Sequence, residues 1–228
     1  MKTIGILGGM SAASTVIYYR QLCDLTRARL GGLHSPQLLL RSLDFAPVAA
    51  AQAAGDWAAL GQMLNTEARR LEEGGADLLL LATNTMHKVA DTMMAGVSIP
   101  LIHIADATAT AIRQAGLTRP GLMATAFTME QSFYTDRLRA AGLDPLVPSA
   151  EDRATTHRII YDELCRDQVL PASRSAYEGI AARLAADGAD CLILGCTEVG
   201  MLLSTANSPL PVFDTVAIHC AAALEAAL

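Results

Sequence analysis

The sequence is poor in aromatic residues, and it has no long apolar run. Phe, Trp and Tyr make up only 4% of the 228 residues, so the core must consist mainly of Ala, Leu, Val and Ile. The formal net charge of -6 disfavours a nucleic-acid partner, because phosphate binding needs a basic face. No segment approaches the roughly 20 apolar residues that a membrane span requires, so no membrane partner is expected. Residues 1–9 are typical of a buried strand and a glycine turn rather than of a signal peptide, and a cytoplasmic location is expected.

Several cofactor signals are also missing. Gly5, Gly8 and Gly9 do not give the G-x-G-x-x-G spacing of a dinucleotide site, and no Walker lysine follows them. Five cysteines, an odd number, favour free thiols over a disulfide framework. No His/Cys group has the spacing of a zinc site, so no metal is expected. Neither of the two lysines, Lys2 and Lys88, stands in a recognisable Schiff-base context.

The chain contains an internal repeat. The first copy comprises Ala68, Arg70, Leu71, Gly75, Ala76, Asp77, Leu79 and Leu81, and the second Ala181, Arg183, Leu184, Gly188, Ala189, Asp190, Leu192 and Leu194. Residues 5–9 likewise match 121–125, and residues 99–102 match 210–213. Gly-Ala-Asp turns and Leu-rich strands recur in all parallel α/β sheets, but the kept order and near-constant spacing favour a duplication. We therefore expect two similar lobes related by pseudo-twofold symmetry: residues 1–100 plus 212–228, and residues 101–211.

Strand-like and helical segments alternate, which predicts an α/β fold with parallel sheets flanked by helices. The predicted strands are 3–7, 37–43, 77–82, 100–104, 120–124, 190–194 and 210–213. The predicted helices are 14–29, 56–74, 87–95, 106–115, 130–141, 153–166, 173–187, 199–204 and 216–227.

A small polar cluster follows the repeated strand in each copy. Thr83-Asn84-Thr85 follows the first, and Cys196-Thr197-Glu198 follows the second. In open α/β sheets, ligands bind at the carboxyl ends of the strands, so we expect Thr83 and Cys196 to face each other across one cleft. A helix N-terminus beside Cys196 favours its thiolate, which in a dry cleft is able to remove a proton from carbon. Taken alone, Thr85 is equally consistent with a helix cap, and a lone cysteine with buried packing.

Gly8-Gly9-Met10-Ser11 follows the first predicted strand and opens a helix. Glycines at such a turn let the backbone approach an anion, and the helix N–H groups are able to hold it. This pattern favours a small carboxylate over a nucleotide, and the alternative is a tight turn without a ligand.

Four motifs in order then resemble one family. They are Gly8-Gly9-Met10-Ser11 with Ser14-Thr15, Asn84-Thr85-Met86-His87, Thr125 with Phe127-Thr128-Met129-Glu130, and Gly195-Cys196-Thr197-Glu198. Together they resemble the aspartate/glutamate racemases, and the resemblance covers nearly the whole chain. It implies a cofactor-free, usually dimeric enzyme in which two residues act on opposite faces of the substrate Cα. It also implies that Met10, Gln52, Asn84, Thr85, Thr125 and Thr197 hold the carboxylates and the amine of the substrate. Ser11 is expected to join them, and Glu198 to orient the substrate ammonium or the thiol.

The sequence departs from the family pattern at Thr83, where most members carry cysteine. A thiol titrates near pH 8.5, whereas an aliphatic hydroxyl does not ionise near neutrality, so Thr83 is a poor base but a possible proton donor. We therefore predict a racemase of aspartate or glutamate that prefers one enantiomer. The resemblance to the family, with Cys196 in the second lobe, implies that this is the L form. Ala12-Ala13 and Ala126 stand where bulkier or basic residues are common, which leaves the size and acidity of the substrate open.

Two other functions fit the same residues. A single cysteine also suits a decarboxylase or isomerase of small dicarboxylates on this fold, and a two-lobed protein that only binds a dicarboxylate is a third reading. Arg41 and Arg166 are candidates for the distal carboxylate, but a place at a strand edge for Arg41 and at a helix C-terminus for Arg166 accounts for them better.

Overall fold

A computed structural model of the protein describes residues 1–166, 168–196 and 199–228. The chain divides into two compact units, Met1–His103 with His219–Leu228, and Ile104–Ile218. The first unit holds a parallel sheet in the order β2-β1-β3-β4, and the second a parallel sheet in the order β5-β6-β7. The predicted α/β class is therefore confirmed. The sequence predicts lobe limits after residues 100 and 211, and the compact units divide after His103 and Ile218.

The strands are β1 Ile4–Gly8, β2 Leu38–Ser42, β3 Leu78–Leu81, β4 Leu101–Ile102, β5 Pro120–Ala124, β6 Cys191–Gly195 and β7 Val212–Asp214. The helices of the first unit are α1 Ala12–Leu30, α2 Phe45–Ala54, α3 Trp57–Glu73 and α4 Ala90–Met93. Those that follow are α5 Ile104–Gln114, α6 Ala126–Glu130, α7 Ser132–Ala140, α8 Ala150–Asp162, α9 Pro171–Ala186 and α10 Thr215–Ala227. Single 3₁₀ turns cover Thr85–Val89, Leu164–Arg166 and Val199–Met201.

The central strand pairs are buried and have the same register in both units. Gly5 of β1 lies opposite Leu79 of β3, and Gly121 of β5 lies opposite Leu192 of β6. A Cβ on either glycine would come within about 3 Å of neighbouring side chains, and this close packing explains the small residue at both positions. The repeat in the sequence thus corresponds to a repeat in the internal geometry of each sheet.

The turn that precedes the repeated strand is also built the same way twice. Gly75 and Gly188 have φ angles of 95° and 93°, which favour glycine. The carboxylate of Asp77 accepts a hydrogen bond from the Thr3 N–H at 2.7 Å, and that of Asp190 accepts one from the Thr118 N–H at 2.7 Å. In each unit the aspartate therefore fixes the start of the neighbouring strand.

Four predicted helices differ from the observed structure. The predicted helix 153–166 is divided at Glu163 into α8 and the 3₁₀ turn Leu164–Arg166. The predicted helix 130–141 is interrupted at Gln131, whose extended backbone (φ -97°, ψ 138°) separates α6 from α7. The predicted helices 87–95 and 199–204 begin as 3₁₀ turns, and the second ends after three residues. Helix α2 was not predicted, because FAPVAAAQAA is apolar nearly throughout and shows no 3.6-residue period. Within the described residues, no helix is long and apolar enough to cross a membrane.

Candidate active site

The carboxyl edge of the first sheet brings several of the predicted site residues together. Leu7 of β1 pairs with Leu81 of β3, so the segments that follow these strands leave the sheet side by side. The Ala82 N–H donates to the Leu7 carbonyl at 2.9 Å, and the Ser14 hydroxyl donates to the Ala82 carbonyl at 3.3 Å. Met10 and Ser11 thus follow the strand next to the one that leads into Thr83, Asn84 and Thr85.

Thr83 is held through both of its backbone polar groups. Its N–H donates to the Leu81 carbonyl at 2.8 Å, and its carbonyl accepts from His87 Nδ1 at 2.7 Å. Thr83 is 8% exposed, and within the described residues its hydroxyl has no hydrogen-bond partner. The backbone at Thr83 is therefore fixed while the hydroxyl stays available for a ligand.

A buried cluster of aromatic and imidazole rings stands behind this strand end. The ring of His87 meets that of His103 edge-on at 4.4 Å between centroids, and the ring of His219 lies 5.9 Å from His87. His219 accepts from the Tyr18 hydroxyl at Nδ1 (2.8 Å) and donates from Nε2 to the Ile102 carbonyl (2.6 Å). Burial, together with the nearby His103, lowers the pKa of His219 to about 4, so this ring is neutral at pH 7.

Contacts around the turn after β1 account for its two glycines without a ligand. The Gly9 N–H donates to the Thr15 hydroxyl at 2.7 Å, so this donor is not available to a carboxylate. A Cβ on Gly9 would lie 2.2 Å from the Leu43 carbonyl oxygen, and a Cβ on Gly8 would lie 2.6 Å from Thr15 Oγ1. The Ser11 hydroxyl caps α1 by accepting from the Ser14 N–H at 3.2 Å. Of the two readings of this motif, the tight turn accounts for both glycines.

The other substrate-binding candidates of the first unit are buried. Met10 packs in the apolar core with Leu7, Val48 and Met86. Gln52 on α2 donates from its side-chain nitrogen to the Met86 sulfur at 3.0 Å. Asn84 and Thr85 are about 5% exposed at the start of the 3₁₀ turn. None of these four side chains is on an exposed surface.

The second unit repeats this edge with Thr125 and Cys196. Ala124 of β5 pairs with Gly195 of β6, so Thr125 and Cys196 are the next residues on two adjacent strands. The Thr125 carbonyl accepts from the N–H groups of Thr128 and Met129, both at 3.0 Å, and its hydroxyl lies 3.2 Å from that of Thr128.

Cys196 is half-buried against the apolar core of the second unit. Its carbonyl accepts from the Val199 N–H at 3.1 Å, which starts the 3₁₀ turn. This turn has only three residues, so the helix dipole that the sequence led us to expect beside the thiol is short. The predicted site residues Thr197 and Glu198 lie outside the described residues.

Arg41 and Lys88 each have a partner within the protein, and Arg166 is exposed. Arg41 on the edge strand β2 forms an ion pair with Glu67, which raises the pKa of its guanidinium. Arg166 is exposed in the 3₁₀ turn after α8. The Lys88 ammonium lies 3.8 Å above the Trp57 ring, and burial lowers its pKa.

Sequence reasoning missed the imidazole cluster and His157. His103, His219 and Tyr18 each occur as single polar rings in apolar segments, so no local pattern marks them. His157 on α8 accepts at Nδ1 from the Ala126 N–H at 3.2 Å, directly after Thr125, and burial lowers its pKa. Among the described residues, no three His, Cys, Asp or Glu side chains are grouped as a metal site would require.

Comparison with known proteins places this geometry in a family. A model of the family described as Asp/Glu/Hydantoin racemase matches residues 7–223. A crystal structure of a putative Asp/Glu racemase from Yersinia pestis is 45% identical, with a TM-score of 0.92 over 100% of this chain and 99% of that one. PH1733 from Pyrococcus horikoshii, an aspartate racemase homologue, is 32% identical with a TM-score of 0.87 and the same coverage. The broad-specificity amino-acid racemase RacX of Bacillus subtilis is 24% identical over 94% of this chain and 93% of its own length.

Proposed function

The chain belongs to the Asp/Glu/hydantoin racemase family, and from this premise we propose that it racemises an acidic amino acid, aspartate or glutamate, without a cofactor. Racemisation moves one proton from the Cα of the substrate to the opposite face. The observation that carries the proposal is the equivalence of two strand ends: Thr83 follows β3 and Cys196 follows β6, at matching positions of two sheets with the same register.

In the proposed reaction, the Cys196 thiolate removes the Cα proton from one face and becomes a thiol. The Thr83 hydroxyl then gives its proton to the carbanion on the other face. Water reprotonates the resulting alkoxide, and the hydroxide so formed takes the proton from the Cys196 thiol, which restores both groups. The partial burial of Cys196 and the burial of Thr83 support this step, because a site with little water strengthens proton transfer and electrostatic stabilisation.

Charge that develops on the carbanion moves into the α-carboxylate, and neutral donors around it lower the barrier. We assign this role to Asn84 and Thr85 in the first unit and to Thr125 in the second. Gln52, Met10, Ser11, Thr197 and Glu198 are proposed to complete the contacts to the amine and the second carboxylate. For Ser11, whose hydroxyl caps α1, the backbone is the proposed contact.

The two acid–base groups differ in strength, so exchange of the Cα proton with solvent should differ in rate between the two enantiomers. We propose that the enantiomer whose Cα proton faces Cys196, the L form, is the better substrate. The test is incubation with each enantiomer of aspartate and glutamate in deuterated water, followed by chiral separation and mass spectrometry. L-substrate should exchange its Cα proton faster than D-substrate, and Cys196→Ala should abolish the exchange. Equal exchange rates for both enantiomers would refute the asymmetry.

A matched variant tests the cause of the asymmetry. Thr83→Cys places a second thiol at the first strand end, and it should raise exchange of the D-enantiomer by at least tenfold without a comparable change for the L-enantiomer. The substrate panel should also contain neutral amino acids, because RacX is a broad-specificity racemase.

A second candidate function follows from the single thiol at these two strand ends. A decarboxylase or isomerase of small dicarboxylates needs only one-sided protonation, which a Thr/Cys pair is able to supply. Turnover of a disubstituted malonate or of maleate, with no exchange of any amino acid, would favour it. Ligand binding without any turnover, unaffected by alkylation of Cys196, would instead favour a binding protein.

We also propose that the protein is a cytoplasmic homodimer. Light scattering on the purified protein will check the oligomeric state, and cell fractionation will check the location.

A further inference from the structure

We infer that His87 is a positioning residue for Thr83, and that it acts by fixing the backbone of the residue whose hydroxyl delivers the proton. This inference rests on the proposed function. It begins from the hydrogen bond between His87 Nδ1 and the Thr83 carbonyl, which is 2.7 Å long and buried. Because a carbonyl oxygen only accepts, the imidazole must carry its proton on Nδ1.

The second part of the inference is the support of the His87 ring. The ring is 3% exposed and packs edge-on against His103. His219 lies behind it and is fixed at both ring nitrogens, by the Tyr18 hydroxyl and by the Ile102 carbonyl. These contacts hold the imidazole in one orientation, and through it they hold the Thr83 carbonyl. The cluster also places two opposite tautomers side by side, Nδ1–H on His87 and Nε2–H on His219.

The third part is the comparison between the two strand ends. Thr83 corresponds to Cys196 in the repeat, so His87 corresponds to Gly200, which has no side chain. The imidazole therefore accompanies the hydroxyl and not the thiol. A neutral hydroxyl gives up its proton only along a well-aligned hydrogen bond, and a displacement of about 1 Å is able to cost about a hundredfold in rate. A sulfur anion is larger and more reactive, so its position needs less support.

The decisive experiment compares three substitutions of His87. Asn places its amide nitrogen where Nδ1 of histidine lies, so His87→Asn keeps the donor to the Thr83 carbonyl. His87→Gln places its nitrogen near the Nε2 position, and His87→Ala has no donor. His87→Gln and His87→Ala should lower inversion of the substrate at least tenfold, whereas His87→Asn should stay within about threefold of the wild type. His34→Ala, at an exposed loop histidine, serves as the unaffected control.

A second readout separates positioning from general damage. In deuterated water, exchange of the L-enantiomer with retention of configuration needs Cys196 but not Thr83. This exchange should remain within about threefold of the wild type in His87→Ala, as in Thr83→Ala, while inversion falls. Parallel loss of exchange and inversion in His87→Ala would mean a structural role only, and it would overturn the inference.

Two further outcomes also test whether His87 positions Thr83. Inversion retained by His87→Ala, or lost equally by His87→Asn, would overturn the inference while leaving the proposed function intact. A wild-type protein that neither exchanges nor inverts any amino acid would overturn both. Long-range ¹H–¹⁵N spectra of the histidine rings test the geometry without activity: a Nε2–H tautomer at His87 would contradict it.

Discussion

His219 should make the first unit sensitive to mild acid. The ring is fully buried, and its Nδ1 accepts from the Tyr18 hydroxyl, so protonation places a charge in a site without solvent. Burial is the largest cause that lowers its pKa to about 4, the Ile102 carbonyl opposes the shift, and His103 adds to it. In the unfolded chain the same group titrates near 6.5.

The sign follows from proton linkage. Between pH 6.5 and about 4, the unfolded chain binds a proton at His219 that the folded protein does not, so stability falls as the pH falls through this window. The contribution is complete above pH 6.5 and fully lost below about pH 4. One pKa unit corresponds to about 1.4 kcal/mol, so the whole window is worth about 3 kcal/mol, of which about 2.5 kcal/mol is lost by pH 4.5.

Urea unfolding at pH 7.5 and pH 4.5 measures this loss. Trp57 is the only tryptophan and lies in the same unit as His219, so its fluorescence reports on that unit. The control is His219→Gln, whose amide nitrogen is able to keep the donor to the Ile102 carbonyl but does not titrate. The variant should be less stable at pH 7.5, yet it should lose about 2 to 3 kcal/mol less than the wild type on acidification. If both proteins lose the same free energy, His219 is not the acid-sensitive group and the reasoning is wrong.

Two substitutions test how the glycine turns and aspartates fix the sheets. Gly9→Ala should destabilise the protein by more than about 3 kcal/mol in urea unfolding, because a Cβ at this position meets the Leu43 backbone. The control Gly55→Ala is also at positive φ but in open space, so it should cost only about 1 kcal/mol. Similar losses in the two variants would contradict the steric argument. Asp190→Ala leaves the N–H groups of Thr118 and Arg119 without this acceptor. The variant should be about 2 kcal/mol less stable in thermal unfolding. An unchanged stability would show that water replaces the carboxylate.

The elements with clear local signals were predicted well from the sequence. β5 was predicted at 120–124 and is observed at Pro120–Ala124, because a proline opens the strand and a polar residue follows it. Asp56 caps α3 at the start of a segment with strong 3.6-residue periodicity. The equivalent positions of Thr83 and Cys196 after β3 and β6 also followed from the repeat alone.

The contacts that support the site were not predictable in the same way. His87, His103 and His219 come from three distant segments, and the pairing of Tyr18 with His219 joins the first helix to the last. A sequence pattern reports on neighbours within one or two turns, so such contacts appear only when the chain is folded. The use of the Gly9 N–H by Thr15 belongs to the same class, because it depends on the orientation of α1 over the turn.

Among the described residues, the two strand ends differ in what donates to the carbonyl: the His87 ring donates to that of Thr83, whereas the Val199 N–H donates to that of Cys196. Both follow a buried strand with the same partner register, and both lead into a 3₁₀ turn. Steric exclusion does not explain why the second copy lacks an imidazole: among the described residues, a Cβ on Gly200 would meet only the Asp214 carboxylate, at an ordinary 3.5 Å. The requirements of the first strand end do explain it. If Thr83 is the weaker acid–base group, as we propose, its position must be fixed more precisely than that of Cys196. His87 fixes it by donating to the Thr83 carbonyl, and the second strand end has no equivalent side chain.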